Sequence, residues 1–127
     1  MVLPVNAKVG AAPNFTFNLE EARAFFVLQD AESAASRFVK LKSELREMRA
    51  MLNWSPACGR HARFLNSHSA QARLRAESIL ELAKQVGLPS LREYVVANHV
   101  VLYAHSDSEV ILLALKHQRQ LAYSAVQ

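Results

Sequence analysis

The sequence predicts an α+β fold, with helices first and an antiparallel β-meander after them, the helices packed on one face of the sheet. Apolar residues recur at helical steps of three and four through the first two-thirds of the chain. From Leu91 onward β-branched and aromatic residues take over. Only 3 Gly and 4 Pro punctuate 127 residues, too few for a turn-rich all-β chain or a disordered one.

Met1–Pro13 mixes small and apolar residues with Gly10, Pro4 and Pro13, which predicts a loosely ordered arm with room for a short strand. Residues 14–127 are expected to form one domain. Asn14-Phe15-Thr16-Phe17 alternates polar and aromatic residues, as a half-buried strand does. Asn18 before Leu19-Glu20-Glu21 reads as a helix start, since carboxylates suit the positive helix end; that helix should run to about Gln29. Asp30 reads as the next cap. From Ala31 to Asn53, residues Ala34, Ala35, Phe38, Leu41, Leu45, Met48 and Leu52 form one apolar stripe, so the two helices make a hairpin. Asn53-Trp54-Ser55-Pro56 ends it, with Trp54 plugging the helix end.

A polar stretch follows through Ser69, in which Arg60, His61 and Arg63 read as a solvated basic loop. Ala70–Val86 carries the stripe Ala72, Ala76, Ile79, Leu80, Ala83 and Val86; Gly87 and Pro89 mark its stop. The meander has turns at Ala97-Asn98, where Asn tolerates a left-handed backbone, and at Ser106-Asp107-Ser108. Its last strand, Val110–Leu115, is apolar at every position, which predicts that both of its faces are covered, as in a central strand.

Fifteen Lys and Arg against eleven Asp and Glu leave +4, a mild excess that suits an acidic partner or a nucleic acid without requiring either. The lone Cys58 excludes an internal disulfide and any multi-thiolate site, and fits a reducing cytoplasm. The N-terminus lacks the pattern of a signal peptide, and no apolar run predicts a membrane span. His61, His68, His99 and His105 lack metal-ligand spacing, so neither metal nor cofactor is expected.

The stretch Leu91-Arg92-Glu93-Tyr94-Val95-Val96-Ala97-Asn98-His99-Val100-Val101-Leu102-Tyr103 resembles the paired middle strands of ParE-type toxins, where an arginine leads one strand and a strand-end Leu-Tyr follows the hairpin. Glu109–Leu121 resembles the family's final strand, an apolar run closing in a basic cluster, here Lys116, His117 and Arg119. The Pro56…Gly59-Arg60 turn keeps the family's order, whereas Ala70–Val86 is an extra helix and Met1–Pro13 an extra arm. The resemblance to the RelE/ParE superfamily implies a RelE/ParE-like fold: an N-terminal strand and helical hairpin, the extra third helix, then the meander.

The resemblance also implies a function, the toxin of a type II toxin–antitoxin (plasmid stabilisation) system in bacterial cytoplasm. Such a toxin inhibits growth by poisoning DNA gyrase and is neutralised by a cognate antitoxin. The implied target-binding residues are Arg92, Tyr103, Lys116, His117 and Arg119, and the implied antitoxin-binding stripe is Phe38, Leu41, Leu45 and Met48. Helix burial or strand addition would hold the antitoxin; a homodimer is left open. The superfamily also contains ribosome-dependent endoribonucleases acting on mRNA, for which Arg92, His117, Arg119 and Tyr123 are the catalytic candidates here, with His117 suited to proton transfer. Against this, no dense set of cations falls on the central strands, as a phosphate-centred transition state requires. A non-toxic relative acting only as an interaction domain is the third reading. Apart from the resemblance, the basic strand end reads as a solubility device, Arg92 as the partner of a helix carboxylate, and Tyr94 and Tyr103 as packing residues with hydroxyls at the sheet margin.

Overall fold

The computed structural model describes residues 6–62, 70–120 and 123, with the backbone alone for 70–75. The chain runs β1 (Lys8–Ala11), α1 (Pro13–Gln29), α2 (Ala34–Trp54), a 3-10 turn at Pro56–Cys58, β2 (Arg60–His61), α3 (Ala70–Val86), β3 (Ser90–Val96), β4 (His99–His105) and β5 (Glu109–His117). This is the expected α+β architecture, and the strands form one sheet in the order β1-β5-β4-β3-β2. β1 pairs with β5 in parallel; every other pairing is antiparallel.

The first strand lies earlier than its predicted place. Lys8–Ala11, inside the expected arm, joins the sheet, while Asn14–Phe17 is helix. Pro13 explains the shift: its fixed φ suits the first helical turn, and its missing N–H costs nothing there. The alternation across residues 14–17 misleads because the spacing that matters is Asn14 to Asn18, one helical turn. Both side chains are buried and turn toward β5. Asn14 Nδ2 donates to the Leu113 carbonyl at 3.0 Å, and Leu115 N–H donates to Asn18 Oδ1 at 3.0 Å. These are backbone groups that β1 no longer reaches, since its pairing with β5 ends at Ala11↔Leu112.

α2 begins at Ala34 behind Ser33; Asp30 instead accepts from the Glu32 N–H in the turn. Its stripe is buried at Ala34, Leu41, Leu45, Met48 and Leu52, partly buried at Phe38, and exposed at Ala35. Trp54 is 56% exposed and plugs nothing. α3 keeps its predicted bounds, and Gly87 follows it at φ 74°, where a side chain would strain the backbone.

Helices cover both faces of the sheet, not one. Val101, Tyr103, Val110, Leu112 and Leu115 pack with α1 and α2 residues, whereas Val100, Leu102, Ala104, Leu113 and Ala114 pack with Ile79 and Ala83 of α3. β4 takes the middle place and is buried along its whole length, while β5 lies between β1 and β4. A bulge shifts the β4–β5 register: Leu102 faces Ala114 but Tyr103 faces Leu112, which leaves Leu113 as the extra residue. The β3–β4 turn falls where expected. Its left-handed residue is Ala97, at φ 52°, rather than Asn98.

Two outcomes follow. Asn18→Ala leaves the buried Leu115 N–H without its acceptor, and urea unfolding should show a loss of about 1–3 kcal/mol; an unchanged midpoint would refute this role. His99 is buried against Phe26 and His117, with ring centroids 6.1 Å and 5.3 Å away. Burial foremost, then the charges of His117 and Arg37, lowers its pKa from 6.5 to about 4. The folded chain therefore holds it neutral while the unfolded chain protonates it. Its contribution is complete above pH 6.5 and is lost as the pH falls toward 4, on the order of 3 kcal/mol. Stability measured from pH 7 down to pH 4 should fall more steeply for the parent chain than for His99→Phe; equal slopes would exclude this account.

Candidate functional site

The residues expected to contact a target separate into two places. Lys116, His117 and Arg119 gather where β5 runs out, as expected. Gln120 shapes this end: its N–H donates to the His117 carbonyl at 2.9 Å, and its Oε1 accepts from the His117 N–H at 2.8 Å. Lys116 Nζ donates to the Gln120 carbonyl at 3.1 Å, and the Arg119 N–H donates to His117 Nδ1 at 3.1 Å. The Gln118 N–H, donating to the Asn98 carbonyl at 2.8 Å, ties this turn to the β3–β4 hairpin. Arg119 is exposed and Lys116 half-buried; burial lowers the Lys116 pKa, opposed by Glu93.

Between this end of β5 and α1 opens a cleft of about 820 Å³. Asn18, Ala24, Phe25 and Leu28 line its helical side, and Lys116, His117 and Arg119 line the other.

Arg92 and Tyr103 lie elsewhere. They are paired across β3 and β4, four register positions from the His99 end. Tyr103 is fully buried; its hydroxyl donates to the Pro56 carbonyl at 2.7 Å and accepts from the Gly59 N–H at 2.9 Å. Burial pushes its pKa up to about 12, so it stays protonated. A Cβ on Gly59 would stand 2.6 Å from both this hydroxyl and the Glu93 carbonyl, which explains the glycine. Arg92 meets no helix carboxylate: Nη1 donates to the Gly59 carbonyl at 3.0 Å and Nε to His105 Nε2 at 3.2 Å. His105 Nδ1 sits 3.0 Å from the Ser106 carbonyl, which favours the tautomer with the proton on Nδ1. This corner holds the 3-10 turn to the sheet. Cys58 is exposed beside it, and burial raises the thiol pKa, which disfavours a reactive thiolate.

Tyr123 occupies a third place, on the α3 face. Its hydroxyl donates to Glu93 Oε2, and Lys116 Nζ lies 5.5 Å from its ring centroid. Burial foremost, then the bond to Glu93, raises the phenol pKa. Arg60, read from sequence as solvated, is on β2 with Nε 3.5 Å from Glu93 Oε1. Arg63 and His68 lie outside the described residues. The nuclease candidates Arg92, Tyr123 and the His117–Arg119 pair thus stand at three separate places. Leu41, Leu45 and Met48, expected to bind an antitoxin, spend their apolar surface inside the core, which leaves Phe38 partly accessible. Among the described residues no three His, Cys, Asp or Glu side chains gather as metal ligands, and no helix is long and apolar enough to cross a membrane.

Sequence reasoning missed Asn14, Asn18 and Glu93. The asparagine spacing was a usable signal, as was a lone carboxylate on β3 with the same parity as Leu91 and Val95.

No protein-family model matches the chain, and no curated relative matches it in sequence. A chain of the chromosomal ParDE TA system from P. aeruginosa superimposes with a TM-score of 0.54 at 10% identity, over 88% of this chain and 96% of that chain. The two share a fold.

Proposed function

We propose that this chain is the toxin of a type II toxin–antitoxin pair, acting in the bacterial cytoplasm by binding DNA gyrase and held silent by a partner protein. The fold shared with a ParDE chain over 88% of the present sequence is the observation that carries this reading. The cationic turn after β5 supports it locally. Arg119 is exposed beside the half-buried Lys116 and His117, a cationic place suited to an acidic protein surface.

Binding is favoured over RNA cleavage for a geometric reason. In-line attack on a phosphate needs several cations and a proton acceptor around one point. Arg92 is held by the Gly59 carbonyl and His105, and the Tyr123 hydroxyl by Glu93, so neither group is directed with His117 at one point. Tyr103, with its hydroxyl between Pro56 and Gly59, acts in this reading as a support for the fold rather than as a contact.

Induced expression without a partner should arrest bacterial growth, and the purified protein should inhibit supercoiling by purified gyrase. Arg119→Glu should raise the concentration needed by about tenfold, the equivalent of about 1.4 kcal/mol. Full supercoiling at excess protein would overturn the gyrase assignment, and normal growth would overturn toxicity. Cleaved messenger in a translation extract would favour the ribosome instead.

A further inference from the structure

We propose that α1 is a self-association helix: two copies of this chain pack their α1 helices antiparallel about a two-fold axis, and Glu21 of each copy meets the basic β5 turn of the other. α1 wears its apolar residues outward. Its buried side turns Asn14 and Asn18 toward β5, while Phe17, Phe25, Val27 and Leu28 are 45–85% exposed. These are four of the eight large apolar side chains left exposed among the described residues; the other four are divided between α2 and β3. A helix that faces only water has the opposite pattern, polar outside and apolar inside. An exposed apolar concentration of this kind marks a contact with another protein surface.

The spacing along this face fits a second helix of the same sequence. Phe17, Glu21, Ala24 and Leu28 follow one another at steps of four, three and four, the steps of a seam along which two helices pack. Positions 17 and 28 stand equally far from the midpoint between 21 and 24. Laid antiparallel on its own copy, the seam therefore sets Phe17 against Leu28 of the second copy, and Glu21 against the small Ala24.

Charge selects the occupant. Glu21 lines the same cleft as Lys116 and Arg119, yet among the described residues neither Glu21 nor Arg119 enters an ion pair. A surface that carries a carboxylate, cations and an apolar seam side by side is its own complement, which a two-fold contact between identical chains requires. In this arrangement the second copy's Glu21 arrives at Ala24, on the wall of the cleft whose other side carries Arg119, and the same contact forms twice. An occupant of one sign alone would leave either Glu21 or Arg119 facing like charge. The pairing covers Arg119, so on the proposed function the dimer is a resting form that separates before a target is met. That consequence rests on the proposed function; the self-association does not.

Sedimentation equilibrium of the full chain is the test. The chain should assemble to twice its 14.2 kDa mass, with a Kd of about 10 μM or tighter. Leu28→Glu should weaken the association about tenfold or more, and Val39→Glu, an exposed site on α2, should leave it unchanged. Glu21→Lys and Arg119→Glu each set like charges together in both contacts, and each should weaken self-association by about tenfold. An equimolar mixture of these two variants should regain it, because in the mixed pair both contacts again join opposite charges. Circular dichroism establishes that each variant is folded. A parent chain that stays monomeric at about 100 μM, seam variants that associate as the parent does, or a mixture that regains nothing would overturn the proposal. The measurement contains no target and no other protein, so failure of self-association is distinguishable from failure of the toxin reading.

Discussion

Past Ala11, the β5 backbone loses its strand neighbour, and two asparagine side chains of α1 take over its hydrogen bonding. Much of the molecule depends on this substitution. A buried N–H or carbonyl left unpaired costs free energy on the scale of a lost hydrogen bond. Asn14 and Asn18 also touch each other, at 3.3 Å, so one helical turn supplies both the donor and the acceptor that the strand needs. Because Pro13 starts the helix directly after β1, the chain passes from strand pairing to side-chain pairing with one residue, Ala12, between them. Phe15 and Phe26 of the same helix then pack into the core beneath the sheet.

The second half of the fold was legible because its contacts are local. The hairpin β3–β4 and the turn to β5 join neighbours in sequence, and the β-branched and aromatic run of Val100–Tyr103 marks its strand without help from distant residues. The first strand was not legible for the opposite reason. Lys8-Val9-Gly10-Ala11 has little β signal of its own; its pairing with Glu109–Leu112 comes from a partner about a hundred residues away. α3 was found at its predicted bounds, yet a helical stripe does not say which sheet face receives it. The clue lay in β4, where Val100, Leu102 and Ala104 are as apolar as Val101 and Tyr103 on the other side, so a second cover was needed.

The candidate site was half legible. Lys116, His117 and Arg119 are close in sequence, so their gathering at a strand end needs little tertiary information. Arg92 and Tyr103 were grouped with them through family likeness alone. Their actual roles depend on Pro56 and Gly59, which approach only after the 3-10 turn folds back onto β3 and β4. Residues with chemically versatile side chains are here used for anchoring, and an amphipathic stripe such as Leu41, Leu45 and Met48 says that something covers it without saying whether that is the chain itself.

The extra residue in β5 has a consequence for how the end of this strand tolerates change. Up to Leu112, even-numbered positions face α1 and α2; beyond Leu113 the parity reverses, so Lys116 turns toward Tyr123 and His117 toward His99. Because Leu113 is the residue in excess, its removal alone would restore plain alternation and leave Lys116 opposite Val100 and His117 opposite His99, each on its present face. The bulge is thus a reserve of one residue: a strand shortened at this point draws on that slack without exchanging the surroundings of the ammonium and the imidazole.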